Sequence, residues 1–269
     1  MNFLKFWGTR GSCPVSGPEW SRFGGNTPCL EIVYGKERII IDAGTGIRPL
    51  GAELQKGPVD IFFSHTHLDH LVGLPFFEPL HHQVSSIKLW FPDGTERSPR
   101  ALLDSLFSSD FFPLHLDQIK AKLTFHSMHI DSPVRIGEIE LSFIRAHHPG
   151  MTYCFKIKTP HETIGYITDN ELQGKEEAFI QFFRGCDLLI HEAQYTDEEY
   201  QKKTGWGHSG LSNTVEFVKA VGCKRWIVTH HDPKHTDSML EAMQAEARRK
   251  LGGSCNVAWA VDGLTFPLR

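Results

Sequence analysis

Strand-length apolar runs recur through this chain, and several of them lead straight into histidine or aspartate. They occupy 38–41, 59–63, 139–144, 153–157, 163–167, 187–190 and 225–228, rich in β-branched or aromatic residues and bounded by turn formers. Alternation in 139–144 predicts a half-buried strand, whereas 59–63 and 187–190 are apolar on both faces and predict strands covered on both sides. Helices are better marked toward the C-terminus. Leu211, Val215, Val218 and Val221 share one face of a helix that Ser212 or Asn213 can cap and Gly222 can stop. Leu240, Met243, Ala247 and Leu251 define another, with Asp237 or Ser238 as cap, Glu241 completing a capping box, and Gly252-Gly253 at its end. Two more are expected over about 100–107 and 171–184. Many strands with interspersed amphipathic helices predict an α/β layered architecture, sheets packed face to face with helices outside, as one domain over 1–269.

Composition removes several classes of function. At 40% hydrophobic and 22% charged the chain can bury a sizeable core, which excludes a disordered protein. Lys and Arg number 28 against 32 Asp and Glu, a net charge of −4, so no basic excess is present to bind a nucleic-acid backbone and a nucleic-acid partner is not expected. No stretch approaches the ~20 apolar residues that cross a bilayer, and no membrane partner is expected. The first ten residues lack the order of a signal peptide and read as a strand entering a turn. The six cysteines contain no C-x-x-C pair, so reduced thiols and a cytoplasmic location are expected.

The chemistry concentrates in Ser64-His65-Thr66-His67-Leu68-Asp69-His70, directly after the apolar run 59–63. Three imidazoles and a carboxylate within six residues cannot all be core residues, and together they are a ligand set for zinc, iron or manganese. The spacing offers two nitrogens to one metal and an oxygen plus a nitrogen to a neighbour. Two metals need more ligands than this. His147-His148, Asp169 and His230-His231 each follow another apolar run, as a site on one rim of a sheet sandwich requires.

Further motifs share one order along the chain: Phe6-Trp7-Gly8-Thr9-Arg10-Gly11-Ser12, Gly24-Gly25-Asn26-Thr27, Ile41-Asp42-Ala43-Gly44-Thr45-Gly46, His148-Pro149-Gly150, Thr168-Asp169, His191-Glu192-Ala193, Gly207-His208-Ser209 and Thr229-His230. With the 65–70 signature they make the chain resemble the metallo-β-lactamase-fold hydrolases. Within them it resembles the phosphodiesterase branch, which includes the phosphoribosyl cyclic phosphodiesterases and ribonuclease Z. The resemblance implies a four-layered αββα sandwich of two mixed β-sheets with helices outside. It implies two divalent metal ions, zinc first, with manganese, iron and nickel open. Position by position it assigns His65, His67 and His148 to the first ion and Asp69, His70 and His230 to the second, with Asp169 bridging. His148 is selected over His147 by placing Cys154-Phe155 where the family has Gly-Tyr, and His230 over His231 because it follows Thr229.

Two ions ~3.5–4 Å apart would lower the pKa of a bridging water and clamp the oxygens of an in-line displacement, with Asp69 also orienting that water. Asp42 is either an acceptor for a ligand imidazole or a turn-stabilising residue. An alkoxide leaving phosphorus needs a proton, and the resemblance implies that His208, held by Glu192, supplies it. The implied function is hydrolysis of a small cyclic nucleotide or phosphoribosyl phosphodiester, with a homodimer as the implied assembly. A carboxylic substrate (lactone, thioester or lactam), tRNA 3′-processing, and metal binding without turnover are the other readings. In bacterial ribonuclease Z a tRNA-gripping arm lies between the residues matching His148 and Asp169; here only 20 residues intervene. The stretch 71–125 reads as a helical, aromatic insertion whose rings either wall the site or pack as core. His81, His82, His115, His126, His129, His161 and His235 are assigned no role and are expected to be solvated.

Overall fold

Ile39, Ile40 and Ile41 are all buried, yet in two different cores: Ile39 and Ile41 face one way and Ile40 the other. This alternation, repeated along both sheets, builds the four layers of the molecule. The computed structural model describes every residue except Met1, Gln55 and Lys175.

Six consecutive strands enter the first sheet: β1 (Phe3–Gly8), β2 (Cys29–Tyr34), β3 (Glu37–Ile41), β4 (Pro58–Phe62), β5 (Ser86–Pro92) and β6 (Lys122–Met128). The second takes β7 (Val134–Ile136), β8 (Ile139–Arg145), β9 (Tyr153–Lys158), β10 (Thr163–Ile167), β11 (Leu188–Glu192), β12 (Arg225–Thr229) and β13 (Asn256–Trp259). The last strand, β14 (Thr265–Pro267), returns to pair with β1, so the order is β14-β1-β2-β3-β4-β5-β6 against β13-β12-β11-β10-β9-β8-β7. Each sheet is mixed. The run from β3 to β6 is parallel, as is the run from β10 to β13, and the remaining pairs are antiparallel.

The helices are α1 (Ile47–Leu54), α2 (Pro99–Leu106), α3 (Glu177–Phe183), α4 (Asp197–Lys203), α5 (Leu211–Val221) and α6 (Asp237–Leu251). Between the sheets Leu4, Ile32, Ile41 and Phe62 meet Leu141, Phe155, Ile164 and Ile190. Outside the first sheet, Ile40, Ile61 and Leu89 pack on Ile47 and Leu50 of α1 and Leu103 of α2. Outside the second, Ile167, Leu189 and Val228 pack under α3, α5 and α6. Among the described residues, no helix is long and apolar enough to cross a membrane. All six cysteines are free thiols.

Several expected details are corrected. Gly210, not Ser212 or Asn213, precedes α5, because the Ser212 backbone N–H donates to Asp197 and the Asn213 amide to the Leu172 carbonyl. Gly222 does end that helix, at φ 74°. Thr236 precedes α6, and no capping box forms there: Asp237 accepts instead from the backbone N–H groups of Arg22 and Phe23. The helix expected over 171–184 is only Glu177–Phe183; Glu171 and Leu172 lie outside any helix and are tied to the loop 205–209, and Lys175 lies outside the described residues. Within 71–125, β5 and the start of β6 belong to the first sheet, and helical turns occupy the rest only in part. Phe77, Phe91 and Phe107 are core residues there, whereas Phe76 and Phe111 face solvent. His235 is fully buried rather than solvated: its Nε2 meets Glu199 and its carbonyl accepts from Arg10.

Candidate metal centre

Because β10, β11 and β12 are parallel, and β8 runs the same way two strands over, their C-terminal ends share one rim of the second sheet. Side chains leaving these ends meet, the usual place for a site in such sheets. His147-His148 follows β8, Asp169 follows β10, Glu192 closes β11 and His230 follows β12. The loop after β4 joins from the first sheet, tied across by the Tyr153 N–H donating to the Ser64 carbonyl at 2.9 Å.

The seven residues singled out as ligands come together. One group contains His65, His67 and His148, another Asp69, His70 and His230, with ligand atoms in each within 4.8 Å of one another. Asp169 stands between them. Its Oδ2 lies 3.2 Å from Nε2 of both His70 and His230, and its Oδ1 lies 3.7 Å from His148 Nε2 and 3.9 Å from His65 Nε2. His147 is outside, its ring against Phe179. So is His231, whose Nε2 meets the Ala260 carbonyl at 2.8 Å.

Three of the rings, those of His70, His148 and His230, are held by the nitrogen that faces away. His70 Nδ1 lies 2.9 Å from Asp42 Oδ2, His148 Nδ1 donates to the Gly207 carbonyl at 2.9 Å, and His230 Nδ1 donates to Gln194 Oε1 at 3.1 Å. Among the described residues, Nε2 of His65, His70 and His230 and Oδ2 of Asp169 are buried without a hydrogen-bond partner. Orphaned buried polar atoms are rare and costly. Here they converge on one spot, and imidazole and carboxylate are the donor types that divalent cations take, so the residues fit a metal centre.

Electrostatics agree with that fit. Burial pushes the pKa of His65 well down, and lowers those of His67 and His148, keeping these rings neutral as ligands must be. Burial also opposes a charge on His70, but Asp69, Asp42 and Asp169 outweigh it and raise its pKa in the metal-free protein, so a cation held there would displace the proton from Nε2. Burial would raise the carboxyls of Asp69 and Asp169. The surrounding imidazoles, His70 foremost for Asp69 and His230 for Asp169, keep both well below the usual range.

The backbone is bent to make this arrangement. Among the described residues, Ser12, Asp42, Asp169 and His230 are the non-glycine residues with positive φ, at 63°, 65°, 51° and 57°, and all four contact the cluster or belong to it. Left-handed conformations at such residues store strain that packing must hold. Gly11 and Gly207 permit close approach: a Cβ on either would lie 2.4 Å from the His230 ring or 2.3 Å from His148 Nδ1.

Beside the cluster, His208 Nδ1 lies 3.1 Å from Glu192 Oε2, and Glu192 Oε1 accepts from the Asn170 N–H at 2.7 Å. Burial disfavours the His208 imidazolium, but Glu192 overrides it and pushes the pKa up to about 9. Three supporting residues went unread in the sequence. The Ser12 N–H donates to Asp69 Oδ2, Gln194 accepts from His230, and Glu171 accepts from the N–H groups of Gly205 and Gly207. Ser12 closes the motif Phe6–Ser12 and Gln194 directly follows His191-Glu192-Ala193, whereas Glu171 had no motif to mark it.

A family model described as "Beta-lactamase superfamily domain" matches residues 37–231, more than half of the chain. The chain belongs to that family. Among curated proteins, this metallo-β-lactamase-fold hydrolase is 23% identical to a ribonuclease Z of Porphyromonas gingivalis, covering 81% of this chain and 88% of that one. Among solved structures, the metallo-β-lactamase fold protein YhfI of Bacillus subtilis superposes with a TM-score of 0.74 at 19% identity, covering 98% of both chains. A diphosphatase from the PhnP family superposes at 0.73 with 18% identity, covering 100% of this chain and 98% of the other. These likenesses establish the four-layered αββα fold. The His and Asp clusters on its rim are suited to divalent metal.

Proposed function

We propose that this hydrolase is a binuclear metal-dependent phosphodiesterase acting on a small cyclic nucleotide or phosphoribosyl phosphodiester. The observation that carries the proposal is the Glu192–His208 pair, 3.1 Å apart, set against a cluster whose bridging residue, Asp169, turns one oxygen to each group of ligands. The chemistry supplied by two divalent ions bound there, zinc first among the candidates, is charge stabilisation at phosphorus and activation of water near neutral pH. His65, His67 and His148 would hold one ion, Asp69, His70 and His230 the other, and Asp169 both. Asp69 is steadied through Oδ2 by the Ser12 N–H, and its other oxygen can orient the attacking water.

His208 supplies the step that distinguishes phosphodiester cleavage from opening an activated carbonyl. With a pKa near 9 the ring carries a proton at pH 7, Glu192 stabilises that charge through Nδ1, and Nε2 is the nitrogen that can protonate the departing alkoxide. A lactam or thioester leaving group would gain less from such an acid.

A panel of cyclic and linear phosphodiesters, a precursor tRNA, a lactone, a thioester and a lactam, tested on metal-loaded protein beside metal analysis, checks the proposal. About two equivalents of metal with turnover of small phosphodiesters supports it. Turnover confined to carboxylic substrates, or metal without any turnover, overturns it. The likeness to proteins named ribonuclease Z favours RNA as the second reading. Against it, residues 149–168 are occupied by β9, β10 and the turn at 159–162, with no arm beyond that hairpin among the described residues.

A further inference from the structure

Leu68 stands between ligand residues His67 and Asp69, yet its side chain points to solvent, 66% exposed. It forms one wall of a cavity of about 540 Å³ that the 71–125 stretch closes with Phe76, Leu102, Leu106, Phe111 and Phe112. Phe76 and Phe111 are 56% and 79% exposed, unusual for rings with no partner surface in view. A second cavity of about 470 Å³ adjoins the first through Thr66, Arg97 and Leu102, and reaches Gly150, where a Cβ would lie 3.9 Å from His67 Nε2. Its charged side chains are Arg97, Arg145 and Glu96. Among the described residues Arg145 makes no ion pair, and the Arg97 guanidinium donates only to the Ala101 carbonyl.

We propose that these two cavities set the substrate class of the adjacent centre: the apolar one takes a hydrophobic arm of the ester, and Arg97 and Arg145 take a second acidic group of the same molecule. The inference rests on the phosphodiesterase reading and narrows it. Three features select this occupant. Thr66 and Leu68 belong to the loop that carries His65, His67 and Asp69, so a group lodged there lies against that same loop. The apolar cavity is of ligand size, and among the described residues its lining is mainly apolar, with Thr66, Ser105 and Arg97 as its hydrogen-bonding side chains, so it favours an apolar group over a sugar. The neighbouring cavity has two guanidinium groups against one carboxylate, which favours an anion. A phosphodiester with an alkyl or aryl arm and a second acidic group satisfies all three; a bare phosphoribosyl ring leaves the apolar cavity unfilled.

The test uses metal-loaded protein and a series of n-alkyl methyl phosphates from ethyl to octyl, with binding read by calorimetry. Affinity is expected to rise on the order of threefold per methylene until the cavity is full. Phe111→Asp and, separately, Phe76→Ser should flatten that rise; both rings are largely exposed, so both variants should fold, which circular dichroism checks. Adding a terminal carboxylate to the alkyl arm should strengthen binding to the parent protein but not to Arg97→Gln/Arg145→Gln. Affinity independent of chain length overturns the proposal, and if bis(p-nitrophenyl) phosphate is still hydrolysed the phosphodiesterase reading survives that failure. The reverse result, chain-length dependence without hydrolysis of any phosphodiester, keeps the cavity and removes the reading. A dimer that Phe111→Asp dissociates, with no chain-length effect, would make this face an interface with a second copy and overturn the proposal.

Discussion

Asp42 accepts from the Ser64 backbone N–H at 2.7 Å with one oxygen and faces His70 Nδ1 at 2.9 Å with the other. One carboxylate therefore fixes both the start of the 64–70 loop and the tautomer of its last imidazole, turning His70 Nε2 toward Asp69 and Asp169. Of the two readings offered for Asp42, the geometry fits imidazole acceptor; the turn it anchors is 64–70 rather than its own glycine-rich turn. Its φ of 65° is tolerated because these contacts over-determine it. Asp42→Asn should lower metal affinity roughly 10- to 100-fold, the usual effect of losing such a partner. Competition with a chelator of known affinity measures this; unchanged affinity would mean that His70 is oriented by packing alone.

His208 touches Glu192 and lies 3.9 Å from Asp169, but its ring is fixed by Glu192 rather than by the ligand groups. His208→Ala should retain its metal while losing roughly 10²- to 10⁴-fold in turnover of alkyl phosphodiesters, and far less with nitrophenyl esters, whose leaving group needs no proton. Rates for the two ester types, with metal content measured on the same samples, decide the point. Equal losses on both would remove His208 as the acid.

Glu171 acts on the cluster through the backbone. Its carboxylate takes the N–H groups of Gly205 and Gly207, and the Gly207 carbonyl in turn holds His148 Nδ1. Glu171→Ala leaves two loop amides without an acceptor, about 1–3 kcal/mol for each that stays buried. The expected outcome is a lower unfolding midpoint together with weaker binding of the ion nearest His148, whereas Glu171→Gln, which still offers one acceptor, should recover part of both. A stability loss with unchanged metal affinity would show that the Glu171-held loop 205–207 does not position His148.

His231 gives the metal-free protein an acid-sensitive element. Burial pushes its pKa down to about 3, against ~6.5 in the unfolded chain. Between those values the unfolded chain binds a proton that the folded chain does not, so stability falls as pH drops from about 6.5 toward 3, by up to ~1.4 kcal/mol per pH unit, and is unaffected by this group above that window. Urea midpoints across pH for metal-free protein and His231→Gln test it. The variant should show a shallower acid slope; parallel slopes would assign the loss elsewhere.

The layered α/β class was legible because burial on one or both faces of a strand writes itself into residue order: 139–144 alternates, and 59–63 does not. The ligand residues were legible because three imidazoles and an aspartate directly after an apolar run have few other uses, and the resemblance that followed drew in His148, Asp169 and His230. Helix starts were less readable. Asp197 claims the N–H of Ser212, and Arg22 and Phe23 claim Asp237, so partners more than a dozen residues away decide which candidate cap is free.

His147 and His148 are neighbours with identical chemistry, as are His230 and His231, and composition and spacing cannot rank them. The tertiary structure separates them because successive side chains diverge: one ring of each pair turns toward Asp169, the other toward Phe179 or the Ala260 carbonyl. The same holds for Leu68 and Phe111, which read as ordinary apolar residues until folding leaves them lining a cavity instead of a core. Residue order specifies which atoms are available and which face of an element is buried. Which of those atoms stay unpaired after burial depends on contacts between distant segments, and four such atoms left facing one another mark this centre.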